Sequence, residues 1–354
     1  MKLKNKTDKK FVMTGSFLPV FAMLLLFLFL LYVSTLLGSA KIDLSALVRE
    51  FLSGEHSEKF QSNFYIITQV RLPRIVLCAI TGMTLGLSGC IMQSVLRNPL
   101  ASPFTLGVSS GASFGAAVAM VLGASVVNTN FLFKGYSVVA VNAFFFGTLS
   151  LFLVYQIARF SRNDSTVLIL SGVAVSSMFS AGVSILKYIS SAEALKNLDT
   201  WLMGGFWRSN WNAVLTVVPF FVLSLVIIIR FSWDLNVLNA GEDVAATLGV
   251  NVKVLKRLLM LTVSLAASVS IAFSGIIGFV GLVSPHISRS LVGVDNRRLI
   301  FASALMGGIL LLLSDTVART VIQPKEMPVG IITSIIGVPF FIGILIRRRK
   351  QMWG

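Results

Sequence analysis

The chain has 354 residues, 55% of them hydrophobic and 12% charged, with 30 Lys and Arg against 14 Asp and Glu for a net charge of +16. A soluble domain carries about twice that charged fraction, and a mean hydropathy of +0.86 excludes one. The apolar stretches are continuous rather than alternating, which argues against a β-barrel, and two cysteines and two scattered histidines offer neither a disulfide framework nor a metal centre.

In chain order, a basic start (Lys2, Lys4, Lys6, Lys9, Lys10) precedes the first apolar run. That run is about 20 residues long and no small-residue cleavage site follows it, so it reads as a retained helix rather than a signal peptide. Membrane helices are expected near 17–38, 73–95, 103–123, 136–158 and 167–188, then near 212–231, 256–274, 276–291, 300–318 and 328–346. This is an all-α membrane protein of about ten crossings, with N- and C-termini both cytoplasmic. It has a basic tail over 1–16, one transmembrane domain over 17–346 and a short tail over 347–354. Most Lys and Arg then fall inside, as the positive-inside bias requires. That bias accounts for the net charge more simply than nucleic-acid binding does.

One stretch resists simple threading. Residues 258–285 are apolar throughout, about enough for one long helix, yet Arg257 and the Arg289, Arg297, Arg298 group must share a side. Two passes are therefore needed, and a short or broken helix is expected near SGIIGFVGLVSP, tolerable only where protein buries it.

Cys78 and Cys90 lie in one apolar segment about three turns apart, too far to bridge. No G-x-x-x-x-G-K-[ST] sequence, catalytic triad or metal-ligand cluster occurs, so neither an ATP site nor an enzyme centre is indicated. An ion-coupled transporter keeps acids at mid-membrane. Asp315 is the candidate here, and Arg319 one turn later is placed to pair with it. The connection 232–255, SWDLNVLNAGEDVAATLGVNVKVL, is amphipathic. It holds a short small-residue helix that suits either a partner's cleft or the membrane interface.

RLPR at 71–74, Gln93 with NPLA at 98–101, LGVSSGA at 106–112 and WLMGG at 201–205 together resemble the FecCD-type permeases. GEDVAATLGV at 241–250, GFVGLVSPHISR at 278–289, SDTVAR at 314–319 and MPVGIITSIIGVPFFI at 327–342 extend the resemblance over about residues 60–350. These are the membrane subunits of type II ABC importers for ferric siderophores, haem and cobalamin.

The resemblance implies the type II importer permease fold in a bacterial cytoplasmic membrane. It implies a second permease, identical or paralogous, two ATP-binding subunits that hold ATP and Mg, and an extracellular substrate-binding protein. This chain would bind no cofactor itself. Arg71, Arg74 and Arg319 would meet glutamates of the binding protein, since a guanidinium takes a carboxylate in bidentate fashion. Simple anchoring of a helix at the headgroups, or pairing of Arg319 with Asp315, competes with that role. Gly241, Glu242, Asp243, Ala245, Ala246, Leu248 and Gly249 would form the coupling helix for an ATPase subunit. The pathway would run along Ser171, Gly172, Ser176, Ser177 and Ser180 of the fifth crossing and Thr333, Ser334 and Gly337 of the tenth, with Ser165 and Thr166 near a cytoplasmic gate. Tight helix packing would explain the same small residues. The cargo implied is an iron chelate, of hydroxamate type by preference over haem or cobalamin. A secondary transporter remains the alternative from another class.

Overall fold

A computed structural model describes residues 17–38, 49, 50, 52, 53, 57–123, 138–159 and 165–352. The tail at 1–16 lies outside them. The described chain is helical throughout: α1 (Leu18–Leu36), α2 (Glu58–Tyr65), α3 (Leu72–Leu96), α4 (Val108–Leu122), α5 (Val138–Arg159), α6 (Ser165–Ile189) and α7 (Ala192–Leu202). There follow α8 (Trp211–Arg230), α9 (Ser232–Ala240), α10 (Glu242–Thr247), α11 (Val252–Ser274), α12 (Val280–Val292), α13 (Asn296–Thr320) and α14 (Val329–Met352).

All ten expected crossings have a helix. Among the described residues seven segments are long and apolar enough to span a bilayer, and α4 and the apolar part of α14 are shorter. The expected break after residue 258 is present: α11 stops at Ser274, Gly275 adopts φ +68°, and α12 begins only at Val280. At 13 residues α12 is about 20 Å long, too short to cross alone. Two features were not anticipated. A π-helical turn, Ile66–Arg71, joins α2 to α3 without interruption, and α7 adds a surface helix capped by Ser191.

The centre is α3, whose apolar window is 83% buried. It packs on α13, α11 and α12, and glycines set the distance. A Cβ on Gly82 or Gly86 would overlap the carbonyl oxygens of Gly307 and Ser303 on α13, and one on Gly89 would overlap Gly281 on α12. The glycines at 111 and 115 do the same for α4 against α5. In lipid, where apolar burial gives helices little reason to associate, such close approach supplies dispersion contact.

Gly86→Val should therefore lower the stability of the detergent-purified permease by about 1–3 kcal/mol or more, as overpacking does. Gly343→Val, at a helical site with no atom within 4 Å, should stay near wild type in the same thermal melt. Equal midpoints for the two would remove this account of the packing.

Candidate functional site

The three arginines singled out in the sequence come together at one end of the bundle. Arg71 and Arg74 sit where the π turn enters α3, and Arg319 lies in the last turn of α13. All three are buried, at 6%, 8% and 3% exposure. The last carbonyls of a helix have no intrahelical partner, and here two guanidiniums take those of α1. Arg71 Nη1 donates to Thr35 O (3.1 Å) and Leu36 O (3.4 Å), and Arg319 donates to Ser34 O (3.2 Å) and Leu37 O (2.8 Å).

Asp315, 1% exposed, sits between the other guanidinium faces. Its Oδ1 accepts from Arg74 Nε and Nη2 at 3.1 and 2.9 Å, and its Oδ2 is 2.9 Å from Arg319 Nε. A buried carboxylate needs such partners to offset desolvation. Arg74 Nη1 reaches Glu326, in the turn after α13, at 2.7 Å, and the Glu326 side chain is 24% exposed. Three guanidiniums against two carboxylates leave a surplus of one positive charge. The Arg319–Asp315 pair was legible in the sequence. Glu326 was not, being 252 positions from its partner.

The 241–250 segment lies at the opposite end of α3. Gly241, at φ +143°, turns the chain from α9 into α10, and Gly249, at φ +85°, turns it out toward α11. Ala245 is fully buried, whereas Glu242, Asp243, Ala246, Leu248 and Gly249 are exposed, with Leu248 at 67%. Glu242 pairs with Lys256 at the start of α11. The result is a short projecting arm with one apolar anchor.

At the foot of this arm, Asn236 on α9 donates to Asp295 Oδ1 (2.8 Å) and accepts from Asn296 N (2.8 Å). Asp295 also accepts from Arg297 N and so caps α13. Burial pushes the Asp295 carboxyl up, but the Asn236 amide, the Arg297 amide and the Arg297 and Arg298 charges outweigh it and hold it below the usual range. Nothing in the sequence linked Asn236 to Asp295.

The expected pathway residues divide. Ser171 and Gly172 are buried, and a Cβ on Gly172 would overlap Thr105 O, so this part of α6 is packed on the turn before α4. Ser176 is half-buried, while Ser177 and Ser180 are exposed. On α14, Thr333 and Gly337 are buried and Ser334 is half-buried, with both hydroxyls donating to Gly330 O. Thr166 is exposed, and the Ser165 side chain lies outside the described set. Among the described residues no group of three or more His, Cys, Asp or Glu is placed to hold a metal.

The described residues thus form a bundle of apolar helices with a polar cluster at one end and a projecting arm at the other. The FecCD transport family matches residues 24–347, and the chain belongs to that family. It is 35% identical to the hemin transport system permease protein HmuU of Yersinia pestis, over 93% of this chain and 96% of that one. It is 42% identical to the cobalamin import system permease protein BtuC of Halobacterium salinarum, over 79% and 73% respectively. A solved structure described as an inward-facing ABC transporter of metal-chelate type superposes with a TM-score of 0.79 at 35% identity, covering 93% of this chain and 98% of that one. The fold is thus that of a type II ABC importer permease, and the chain is a translocation subunit rather than an enzyme.

The lowered Asp295 value sets a pH dependence. Its contribution is complete above the unfolded aspartate value of about 3.9 and is lost as pH falls through the lower native one. Wild type should therefore melt above Asp295→Asn at neutral pH, with the gap closing only below about pH 4. A gap that closed between neutrality and about pH 5 would contradict the assignment.

Proposed function

We propose that this chain forms the translocation pathway for an iron chelate, a ferric hydroxamate by preference, across the cytoplasmic membrane of a bacterium. Two partner ATP-binding subunits hydrolyse ATP, a second permease completes the pathway, and a substrate-binding protein delivers cargo from outside. The observation that carries this reading is the exposed arm of Gly241 to Gly249, whose small residues and apolar tip suit insertion into an ATPase groove. Haem and cobalamin remain alternative cargoes, because relatives of comparable identity carry those names.

The ion-coupled alternative is weakened by Asp315. Among the described residues it is the buried acid, and both its oxygens are committed to Arg74 and Arg319. Uptake of ferric hydroxamates, ferric catecholates, haem and cobalamin, measured in cells lacking and then regaining this gene, tests the reading. One ligand should be restored and should be lost on ATP depletion. Uptake that survives ATP depletion and collapses with the ion gradient would sink it.

The arginine end is the proposed docking face for the binding protein, with the N- and C-termini on the other side of the membrane. Burial narrows how docking works. Asp315 holds two of the Arg74 donors from inside, and Glu326 covers the third from the solvent side. A partner's carboxylate would exchange with Glu326 rather than meet a bare cation. Arg74→Gln should weaken binding-protein affinity by at least about tenfold, equivalent to 1.4 kcal/mol. Glu326→Gln should strengthen it, and equal affinities for wild type and both variants would refute the docking role.

A further inference from the structure

The end of α3 nearest the arm is tied to three other helices by side chains that the docking and coupling roles do not use. Gln93 accepts from Arg289 Nη1 on α12. Ser94 Oγ lies 3.4 Å from Asn296 Oδ1, and Asn296, fully buried at the start of α13, donates to Asn236 Oδ1 on α9 at 2.8 and 3.0 Å. Arg97, the residue that ends α3, donates from Nη2 to Leu238 O in the last turn of α9. The same nitrogen lies 3.9 Å from the position a Cβ would take on Gly241, where the arm begins. An open cavity of about 590 Å³ at this end is lined by Gln93, Ser94, Arg97, Asn239 and Arg289 among others.

The backbone of Arg97 is the telling detail. It is left-handed, at φ 50° and ψ 31°, a conformation that helix ends normally assign to glycine or asparagine. Left-handed backbone is disfavoured for an L residue with a long side chain. A glycine would cap α3 more comfortably, so the guanidinium is what this position gains. Unfavourable backbone held in place by its surroundings is a recognised pointer to function.

We propose that Arg97 is a positioning residue that fixes the foot of the coupling arm to the central helix, so that displacement of the arm is passed to α3. This rests on the coupling role proposed above for Gly241 to Gly249. When the ATPase subunits move the arm, α9 moves with it. The Leu238–Arg97 tie and the Asn236–Asn296–Ser94 chain then carry that shift to the α3 end rather than letting α9 slide past it. Packed interfaces convert small shifts of this kind into discrete rearrangements.

The decisive variant is Arg97→Gly, because it separates fold from transmission. Glycine suits the left-handed cap, so thermal stability should be unchanged or higher, and the ATPase subunits should still co-purify. The importer would be reconstituted in proteoliposomes with its binding protein and whichever of ferric hydroxamate, haem or cobalamin the uptake panel restores. Cargo moved per ATP hydrolysed should fall by at least about fivefold, the lower end of ordinary coupling between sites. Arg97→Lys, which keeps a donor within reach of Leu238 O, should recover part of it. An unchanged ratio in Arg97→Gly would overturn the proposal, as would loss of the ATPase subunits, which would make Arg97 a docking contact instead. Gly249→Trp serves as the parallel arm. If it too leaves cargo per ATP at the wild-type value, the coupling-arm reading itself fails. If it uncouples while Arg97→Gly does not, only the role of Arg97 falls.

Discussion

The structure depends on α3 being buried on nearly every side. A helix in that position cannot be held by expelling water, because the lipid it displaces is as apolar as its own side chains. It is held instead by backbone contact through Gly82, Gly86 and Gly89, with α13 and α12 as the opposing surfaces. Shape of this kind tolerates little compromise: one added methyl meets a carbonyl, and neither backbone can yield without moving its helix. Both functional ends of the molecule hang from this rod. Arg71 and Arg74 stand at its first turn, Gln93, Ser94 and Arg97 at its last.

The arginine cluster solves a different problem. Helix α1 has only 22% of its apolar window buried, so packing alone holds it weakly. Its attachment is polar: four successive carbonyls, from Ser34 to Leu37, receive guanidinium donors from Arg71 and Arg319. Ser34 adds a 2.8 Å bond to Thr316. Asp315 keeps two of the three guanidiniums in register, and their charge in turn makes a buried carboxylate tolerable. Removing either partner would strand the other in a site too dry to solvate it. The cluster is therefore structural before it is anything else, and a docking role uses only the edge that Glu326 shares with solvent.

How much of this was legible in the sequence follows from the range of each interaction. Apolar runs are local, and every expected crossing has its helix. The break at Gly275 could be inferred because Arg257 and Arg289 had to lie on one side, a constraint that spans only a few dozen residues. The three arginines were found by type and spacing, but their burial was not, since arginine at a helix end reads as exposed until its acceptors are known. The α1 carbonyls that accept from Arg71 and Arg319 sit 35 or more positions away in sequence. Glu326, Asn236 and the tie from Arg97 to Leu238 were invisible for the same reason. The expected pathway residues show the converse: Gly172 packs closely on Thr105, and composition alone does not separate a pore wall from a helix seam.

The two ends of α3 differ in how firmly their neighbours are attached, and this bears on how force travels. The arm itself is held by one buried alanine and the Glu242–Lys256 pair, whose carboxylate side chain is 49% exposed. An exposed pair of this kind contributes at most about 1 kcal/mol. The foot of the arm is held by fully buried Asn296, bonded to Ser94 and Asn236, where leaving a group unpaired costs about 1–3 kcal/mol, and by the bond from Arg97, itself exposed, to the carbonyl of buried Leu238. A push on the arm therefore meets a soft tip and a stiff base. The soft tip yields first and the load is carried at the stiffer junction of α9 with the end of α3, and from there the glycine contacts leave α3 no freedom to move without α12 and α13.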